Sequence, residues 1–211
     1  MRALHVAAVL AICAVMCACA SPAATRSSVG ADYRLDPTGT KGLVVGSITY
    51  DTGLGVYSIA WTPSAGGPGY VASVGWALWP PLGPEYDDDL KAKGGTFAVE
   101  VPSGDYTLQK WSQRAGYIVY SAERPIGLTF SVKPGEVTYL GNFHFHKSDE
   151  VSLEDRSSRD IPILKARFGA VKAADVGMSL ANGFSLQAIG GATQRRMEAP
   201  AYMPIVIPVK R

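Results

Sequence analysis

Beyond residue 19 this chain contains no cysteine. Its three cysteines, Cys13, Cys17 and Cys19, all lie near the start of a sequence of 211 residues. The remainder can therefore form no internal disulfide and offers no thiol nucleophile. A chain of this length can bury an adequate hydrophobic core without such cross-links. We therefore expect one domain, with at most a small appendage.

Charge is also scarce, and neither sign dominates. Charged residues make up 18% of the chain and the formal net charge is +2 at pH 7, whereas typical domains carry about 25% charged residues. The basic pair Arg195 and Arg196 is too small to form a nucleic-acid surface. The sequence therefore predicts no nucleic-acid partner.

The familiar catalytic motifs are missing as well. The sequence contains no G-x-S-x-G, no S-x-x-K and no phosphate-binding P-loop pattern. The glycines at Gly53 and Gly55 match only part of the dinucleotide fingerprint and run into a predicted strand instead of a helix. We therefore predict a protein without enzymatic activity, catalytic residues or cofactor.

A short apolar leader opens the chain. Residues 4–16 form an apolar run of about 13 residues after Arg2, whereas a membrane-spanning helix needs roughly 20. The run suits a secretory signal peptide, which we assign to residues 1–18. The sequence Met16-Cys17-Ala18-Cys19 resembles a bacterial lipobox, in which a small residue precedes a cysteine that is lipidated after cleavage. We predict Cys19 as the lipidation site.

Two alternatives to this cleavage remain open. Ordinary cleavage after Ala20 follows from an A-x-A site and would release a protein that begins at Ser21. Cys17 is a poorer lipid acceptor than Cys19, because the bulky Met16 would precede it. We favour Cys19, since a sole mature cysteine at the N-terminus is well placed as an anchor. Residues 19–41 then form a lipid anchor and flexible tether.

The middle of the chain, residues 42–148, has the pattern of β structure. Apolar side chains alternate with polar ones, and turn residues separate the runs. The sequence predicts a mainly β fold, an antiparallel β-sandwich of about seven or eight strands with one or two short C-terminal helices. Hairpins are expected about Gly53 to Gly55, Ser103-Gly104 and Pro134-Gly135.

The segment FSVKPGEVTYLGNFHF, residues 130–145, shows this alternation best. Before its turn, the predicted inward residues are Leu128, Phe130 and Val132. After it, a strict period of two places one set on one face, namely Val137, Tyr139, Phe143 and Phe145. The opposite face then carries Thr138, Asn142, His144 and His146. The first set is expected to lie in the core.

Two segments carry a family resemblance. GTFAVEVPSGDYTL resembles the paired strands of carboxypeptidase-regulatory-like (prealbumin-like) domains, and FSVKPGEVTYLGNFHF is similar to a segment of uncharacterised bacterial lipoproteins of that build. The resemblance spans residues 43–146. It implies a β-sandwich and brings no catalytic residues with it.

The C-terminal part, residues 149–211, changes pattern. Ser158 or Asp160 can cap a helix that has Pro162 in its first turn and ends at Gly169. Its apolar face is formed by Ile161, Leu164 and Phe168. A second short helix could follow the first, and the prolines near the C-terminus predict an extended apolar arm there. We expect this segment to pack on the sandwich, although the helix could instead bind a partner.

These features predict a membrane-anchored bacterial envelope lipoprotein with a structural or protein-interaction role. Its location would be the outer membrane, facing the periplasm, with a lipid anchor and a protein partner.

Two alternatives are open. A carbohydrate- or small-ligand-binding module could use exposed aromatic side chains from the set Trp61, Trp76, Trp79 and Trp111. An envelope metalloprotein or hydrolase could use His144 and His146 with Asp149 or Glu150. We assign no metal, because solvent-facing histidines on a strand edge explain the pair more simply. The run from Asp87 to Asp89 lacks the spacing of a calcium loop.

Overall fold

The computed structural model of the chain describes residues 25–26, 28–51, 55–75, 86–173, 176–178 and 184–197. The predicted signal peptide, the lipidation site Cys19, the side chains of Trp76 and Trp79 and the C-terminal arm lie outside these residues. Secondary structure within the described residues is mainly strand, in agreement with the predicted fold class.

The described residues form fourteen strands and three short helices. The strands are β1 (Thr25–Arg26), β2 (Lys41–Tyr50), β3 (Val56–Pro63), β4 (Tyr70–Gly75), β5 (Tyr86–Asp87), β6 (Ala92–Pro102), β7 (Gly104–Ala115), β8 (Ile118–Ala122), β9 (Leu128–Val132), β10 (Val137–Phe145), β11 (Val151–Glu154), β12 (Val176–Met178), β13 (Phe184–Ser185) and β14 (Thr193–Met197). The helices are α1 (Ser157–Arg167), α2 (Gly169–Ala173) and α3 (Leu186–Gly190).

The described strands form two sheets that share a core. The first sheet has the order β1-β4-β3-β7-β8-β14, with β9 also on β7. The second has the order β13-β11-β10-β2-β6-β5, with β12 also on β10. A mainly β, sandwich-like fold is therefore confirmed. Most neighbours are antiparallel, but β2 and β10 are parallel, because the chain returns from the first sheet to the second before it forms β10.

Three connections that the sequence predicts as hairpins instead carry the chain from one sheet to the other. Strands β2, β6 and β10 lie in the second sheet, and the strands joined to them, β3, β7 and β9, lie in the first. The predicted inward residues of β9 are nevertheless right, because two strands that face each other across a core bury the same alternate residues as two strands of a hairpin. Hydrogen-bonded hairpins join β3 to β4 and β7 to β8.

Aromatic side chains fill the space between the sheets. Trp61 and Trp111 are 0% and 2% exposed. The Trp61 ring centroid lies 6.3 Å from that of Phe97 on the facing sheet, and Phe130 stacks on Tyr106 at 5.6 Å. The predicted burial of Phe130, and with it Val132, is confirmed. The indole Nε1 atoms of both tryptophans have no hydrogen-bond partner among the described residues, so their burial is stabilised by packing alone.

A bulge in β10 changes which side chains share a face. The register against β2 shifts between Tyr139 and Asn142, and Gly141 has φ of +126°. Val137 and Tyr139 therefore pack on the outer face of the second sheet, whereas Phe143 and Phe145 lie in the core between the sheets. The prediction that all four share one face is wrong, because one extra residue inverts the alternation.

Helices α1 and α2 and the N-terminal segment cover the outer face of the second sheet. Leu164 of α1 and Val171 of α2 pack against Leu43 and Val45 of β2, and Tyr33 adds to this second apolar cluster. The predicted helix is present as α1, with Pro162 inside it.

Neither Ser158 nor Asp160, the two predicted N-cap residues, caps helix α1. The side chain of Asp155 accepts the hydrogen bond from the N–H of Ser157 at 2.8 Å, while Asp160 is fully buried beneath the helix and Ser158 lies inside it.

Part of the predicted tether also lies on the domain. The Ser28 hydroxyl oxygen accepts a hydrogen bond from the N–H of Ala98 at 2.8 Å, and the N–H of Val29 donates to the Ala98 carbonyl at 2.7 Å. Residues 28–41 therefore belong to the folded body in the structure.

The turn at Gly135 should tolerate no side chain. Its φ of +68° lies in the left-handed region, and an added Cβ would lie 2.5 Å from the carbonyl oxygen of Pro37. We expect Gly135→Ala to lower the free energy of unfolding by at least about 1–3 kcal/mol in urea denaturation. Gly127 is the matched control, because its φ of +75° is similar but a Cβ there meets open space. Equal losses in the two variants would show that the contact with Pro37 is unimportant.

Candidate functional site

At one end of the outer face of the second sheet, apolar side chains give way to polar ones. Ser47 and Thr49 continue the outward row of β2, and Asn142 and His144 continue that of β10. The parallel register places Asn142 beside Ser47 and His144 beside Thr49. Ser47, Thr49 and Asn142 are at most 1% exposed. Buried polar groups of this kind need hydrogen-bond partners, and here they form a connected network.

A buried carboxylate closes the inner end of this network. Asp160 of α1 is 0% exposed. Its Oδ2 accepts hydrogen bonds from the hydroxyls of Ser47 at 2.5 Å and Tyr139 at 2.8 Å, and its Oδ1 accepts one from Arg159 Nε at 2.7 Å. Burial and the Asp160 carboxylate raise the pKa of Tyr139 above its ordinary value, so the phenol remains a donor. The ion pair and two hydroxyls satisfy a charge that would otherwise be costly to bury.

The network continues outward to His144. Asn142 Nδ2 donates to Ser47 Oγ at 2.8 Å, and Thr49 Oγ1 donates to Asn142 Oδ1 at 3.1 Å. Thr49 Oγ1 also lies 2.8 Å from Nδ1 of His144. When the Thr49 hydroxyl donates to Asn142, His144 Nδ1 carries the proton and donates to Thr49. The lone pair of His144 then belongs to Nε2. When Thr49 instead accepts from Asn142 Nδ2 at 3.1 Å and donates to His144 Nδ1, the proton is on Nε2, which donates to Asp51.

Asp51 faces that nitrogen. It follows directly after β2, and its Oδ1 lies 3.1 Å from His144 Nε2. Its Oδ2 accepts a hydrogen bond from the N–H of Lys147 at 3.1 Å. Burial, together with the neighbouring His146, lowers the pKa of His144 below its ordinary value. The neutral imidazole is therefore favoured, although it stands beside a carboxylate.

His146 completes the group. Its ring stands edge-on to that of His144, with 4.4 Å between the centroids. Its Nε2 lies 2.8 Å from Ser152 Oγ, which donates to Glu154 at 3.0 Å. One ligand atom from each of Asp51, His144 and His146 lies within 4.8 Å of the other two. A cleft of about 220 Å³ opens beside the two histidines.

The sequence did not point to the third member of this group. Its pattern put forward Asp149 or Glu150 as a partner for the histidines, whereas the structure brings Asp51 to them. The parallel pairing of β2 and β10 explains the choice, because the carboxyl ends of parallel strands meet at the same edge. A carboxylate that directly follows a strand indicates a possible partner for the histidines only when the neighbouring strand in the sheet is known.

The other residues singled out in the sequence lie elsewhere. Trp61 and Trp111 are in the core, so neither can offer an exposed ring to a sugar.

Arg167 binds Asp87 through two hydrogen bonds of 2.6 and 2.7 Å, and it also binds Asp89 at 2.6 Å. That ion pair holds the pKa of Asp87 below its ordinary value. Within the described ranges, no helix has the length and apolar character needed to cross a membrane.

Removal of the buried carboxylate should destabilise the domain strongly. Asp160→Ala leaves Ser47, Tyr139 and Arg159 without their acceptor, so we expect the free energy of unfolding to fall by about 3–5 kcal/mol. Tyr139→Phe removes only one donor to the carboxylate and should cost about 1.5–3 kcal/mol. Urea denaturation of both variants measures the difference. An Asp160→Ala loss no larger than that of Tyr139→Phe would contradict a central role for the carboxylate.

The lowered pKa of His144 should make stability depend on pH. The unfolded chain binds this proton near its ordinary pKa of about 6.5, and the folded protein binds it only at lower pH. The contribution of His144 to stability is therefore complete above about pH 6.5 and is lost as the pH falls through the folded pKa. In chelator-treated protein, His144→Gln should flatten this decline in urea midpoints. Parallel pH profiles for the wild type and His144→Gln would rule out His144 as the group responsible for the decline in stability.

Comparisons with known proteins add little. No family model and no curated protein matches the chain. Among solved structures, the crystal structure of a leucine-rich repeat protein from Bacteroides thetaiotaomicron aligns with 61% of this chain and 16% of that chain, at 15% identity and a TM-score of 0.30. A similarity this weak carries no argument about fold or function, so the proposals below depend on the residues themselves.

Proposed function

We propose that this chain is a membrane-anchored lipoprotein of the bacterial cell envelope. Its β-sandwich domain has a structural or protein-interaction role and no enzymatic activity. The observation that carries the proposal is the leader, in which an apolar run too short to span a bilayer is followed by Cys19, the last cysteine of the chain. The location proposed with it is the outer membrane, facing the periplasm.

The docking of the N-terminal segment bears on how such an anchor would work. Ser28 is hydrogen-bonded to Ala98 within the folded body. Strand β1, which pairs with β4, begins at Thr25, six positions after Cys19, and such a segment spans at most roughly 22 Å when fully extended. A lipid on Cys19 would therefore hold the domain near the membrane surface. This short reach favours a role beside the membrane over one that requires a long flexible tether.

The fold of the β-sandwich domain also bears on its proposed role. The resemblance of residues 43–146 to carboxypeptidase-regulatory-like domains implies a β-sandwich and brings no catalytic residues with it, which supports a structural or protein-interaction role. The carbohydrate-binding alternative has less support, because Trp61 and Trp111 are committed to the core. Its remaining tryptophans, Trp76 and Trp79, lie outside the described side chains.

The anchor can be tested by replacing its cysteine. Three acyl chains on Cys19 would give lasting attachment, since each buried methylene contributes about 0.8 kcal/mol. We expect Cys19→Ala to move the protein from the membrane fraction to the soluble fraction, or to leave it unprocessed. The fold should be unchanged, because no disulfide is lost. Cell fractionation and circular dichroism provide the two measurements.

Cys17→Ala is the matched control. It removes the neighbouring thiol but leaves Cys19 available, so it should remain in the membrane fraction. Intact mass spectrometry of the wild-type protein should show an N-terminal Cys19 with the added acyl mass. A mature protein that begins at Ser21 without acyl mass would refute the lipoprotein proposal. Loss of membrane attachment only in Cys17→Ala would move the anchor to Cys17.

A further inference from the structure

We propose that Asp51, His144 and His146 bind a divalent late transition-metal ion, Zn²⁺ or Cu²⁺. Two imidazole nitrogens and one carboxylate oxygen form a donor set that such ions favour, whereas Mg²⁺ and Ca²⁺ prefer oxygen ligands alone. The three ligand atoms come from two strand ends that the fold brings to one edge. This inference goes beyond the proposed function, because it holds whether or not the chain is anchored to a membrane.

The distances are close to those that a bound ion requires. Zinc binds imidazole nitrogen and carboxylate oxygen at about 2.0–2.2 Å, so tetrahedral ligands lie roughly 3.3 Å apart. His144 Nε2 and Asp51 Oδ1 already lie 3.1 Å apart, and the widest separation in the group is within 4.8 Å. Asp51 is exposed, so a rotation of its side chain can adjust the position of its carboxylate to a bound ion.

The hydrogen bonds of His144 orient it as a ligand. Its Nδ1 is held by Thr49, which is tied through Asn142 and Ser47 to the buried Asp160 carboxylate. A metal-binding histidine usually donates its other N–H in this manner, which fixes the ring and its tautomer. The chain of partners holds the ring with Nε2 toward Asp51, and in the tautomer that has its proton on Nδ1 the lone pair of Nε2 faces the carboxylate.

His144 Nε2 and the carboxylate oxygen of Asp51 face each other at 3.1 Å. A hydrogen bond joins them when Nε2 carries the proton, and with the proton on Nδ1 both atoms are acceptors that a cation can bridge. A metal ion satisfies both atoms, and His146 lies close enough to share it. The adjoining cleft lets the ion enter and leaves room for water or a partner's side chain as a fourth ligand.

The test uses mature full-length protein, purified from whichever cell fraction contains it and stripped with a chelator. Isothermal titration with ZnCl₂, and separately with CuSO₄, should show one ion per chain. Electron paramagnetic resonance of the copper form should show coupling to imidazole nitrogens. We expect Asp51→Asn and His146→Gln each to weaken binding at least tenfold, equivalent to about 1.4 kcal/mol. Thr49→Val should weaken it about 10-fold or more through the orientation of His144.

Asp149→Asn is the matched control. It removes the same charge from a nearby exposed loop, at the residue that the sequence alone puts forward as a ligand, and it should leave affinity unchanged. Circular dichroism verifies that each variant is folded. If Asp51→Asn does not fold, His146→Gln takes its place in the test. Failure of the wild type to bind one ion would overturn the proposal. So would equal affinities in Asp51→Asn and Asp149→Asn, since the histidines alone would then account for binding.

Discussion

The parallel pairing of β2 with β10 is the interaction on which the rest of this structure depends. It aligns Leu43 and Val45 with Val137 and Tyr139, and these side chains form the apolar surface on which α1 and α2 pack. Further along the same two strands, the register aligns the buried polar row. One strand pair thus sets both the position of the helices and the position of the candidate site.

The bulge in β10 places apolar side chains of one strand in two environments, the outer face of the second sheet and the core between the sheets. Without the register shift after Tyr139, the outward polar row of β10 would turn inward and the aromatic pair Phe143 and Phe145 would face α1. With it, the core keeps its aromatic side chains and the polar row remains under α1. The Asp160 carboxylate then joins strand to helix through Ser47 and Tyr139. Buried ionic groups are weak sources of net stability, whereas these hydrogen bonds fix the position of α1 against β2 and β10.

Much of the core could be predicted from alternation, and the failures are specific. The alternation predicts Leu128, Phe130 and Val132 inside, and all three pack in the core between the sheets. The expected hairpins were wrong in their pairing, because strands of one sheet and strands of facing sheets bury the same alternate residues. Asp51 was missed for a related reason, since more than 90 residues separate it from His144 and no local pattern links them.

The sequence by itself determined the apolar leader with its cysteine, the absence of disulfides, the strand segments, their inward residues and the glycine turns. These properties depend on backbone preferences and side-chain period within a few residues. Only the tertiary structure decided the sheet to which each strand belongs, the inversion of β10 and the meeting of Asp51 with the two histidines. Such choices depend on burial and hydrogen bonding summed over the whole chain, in which distant segments compete for the same partners.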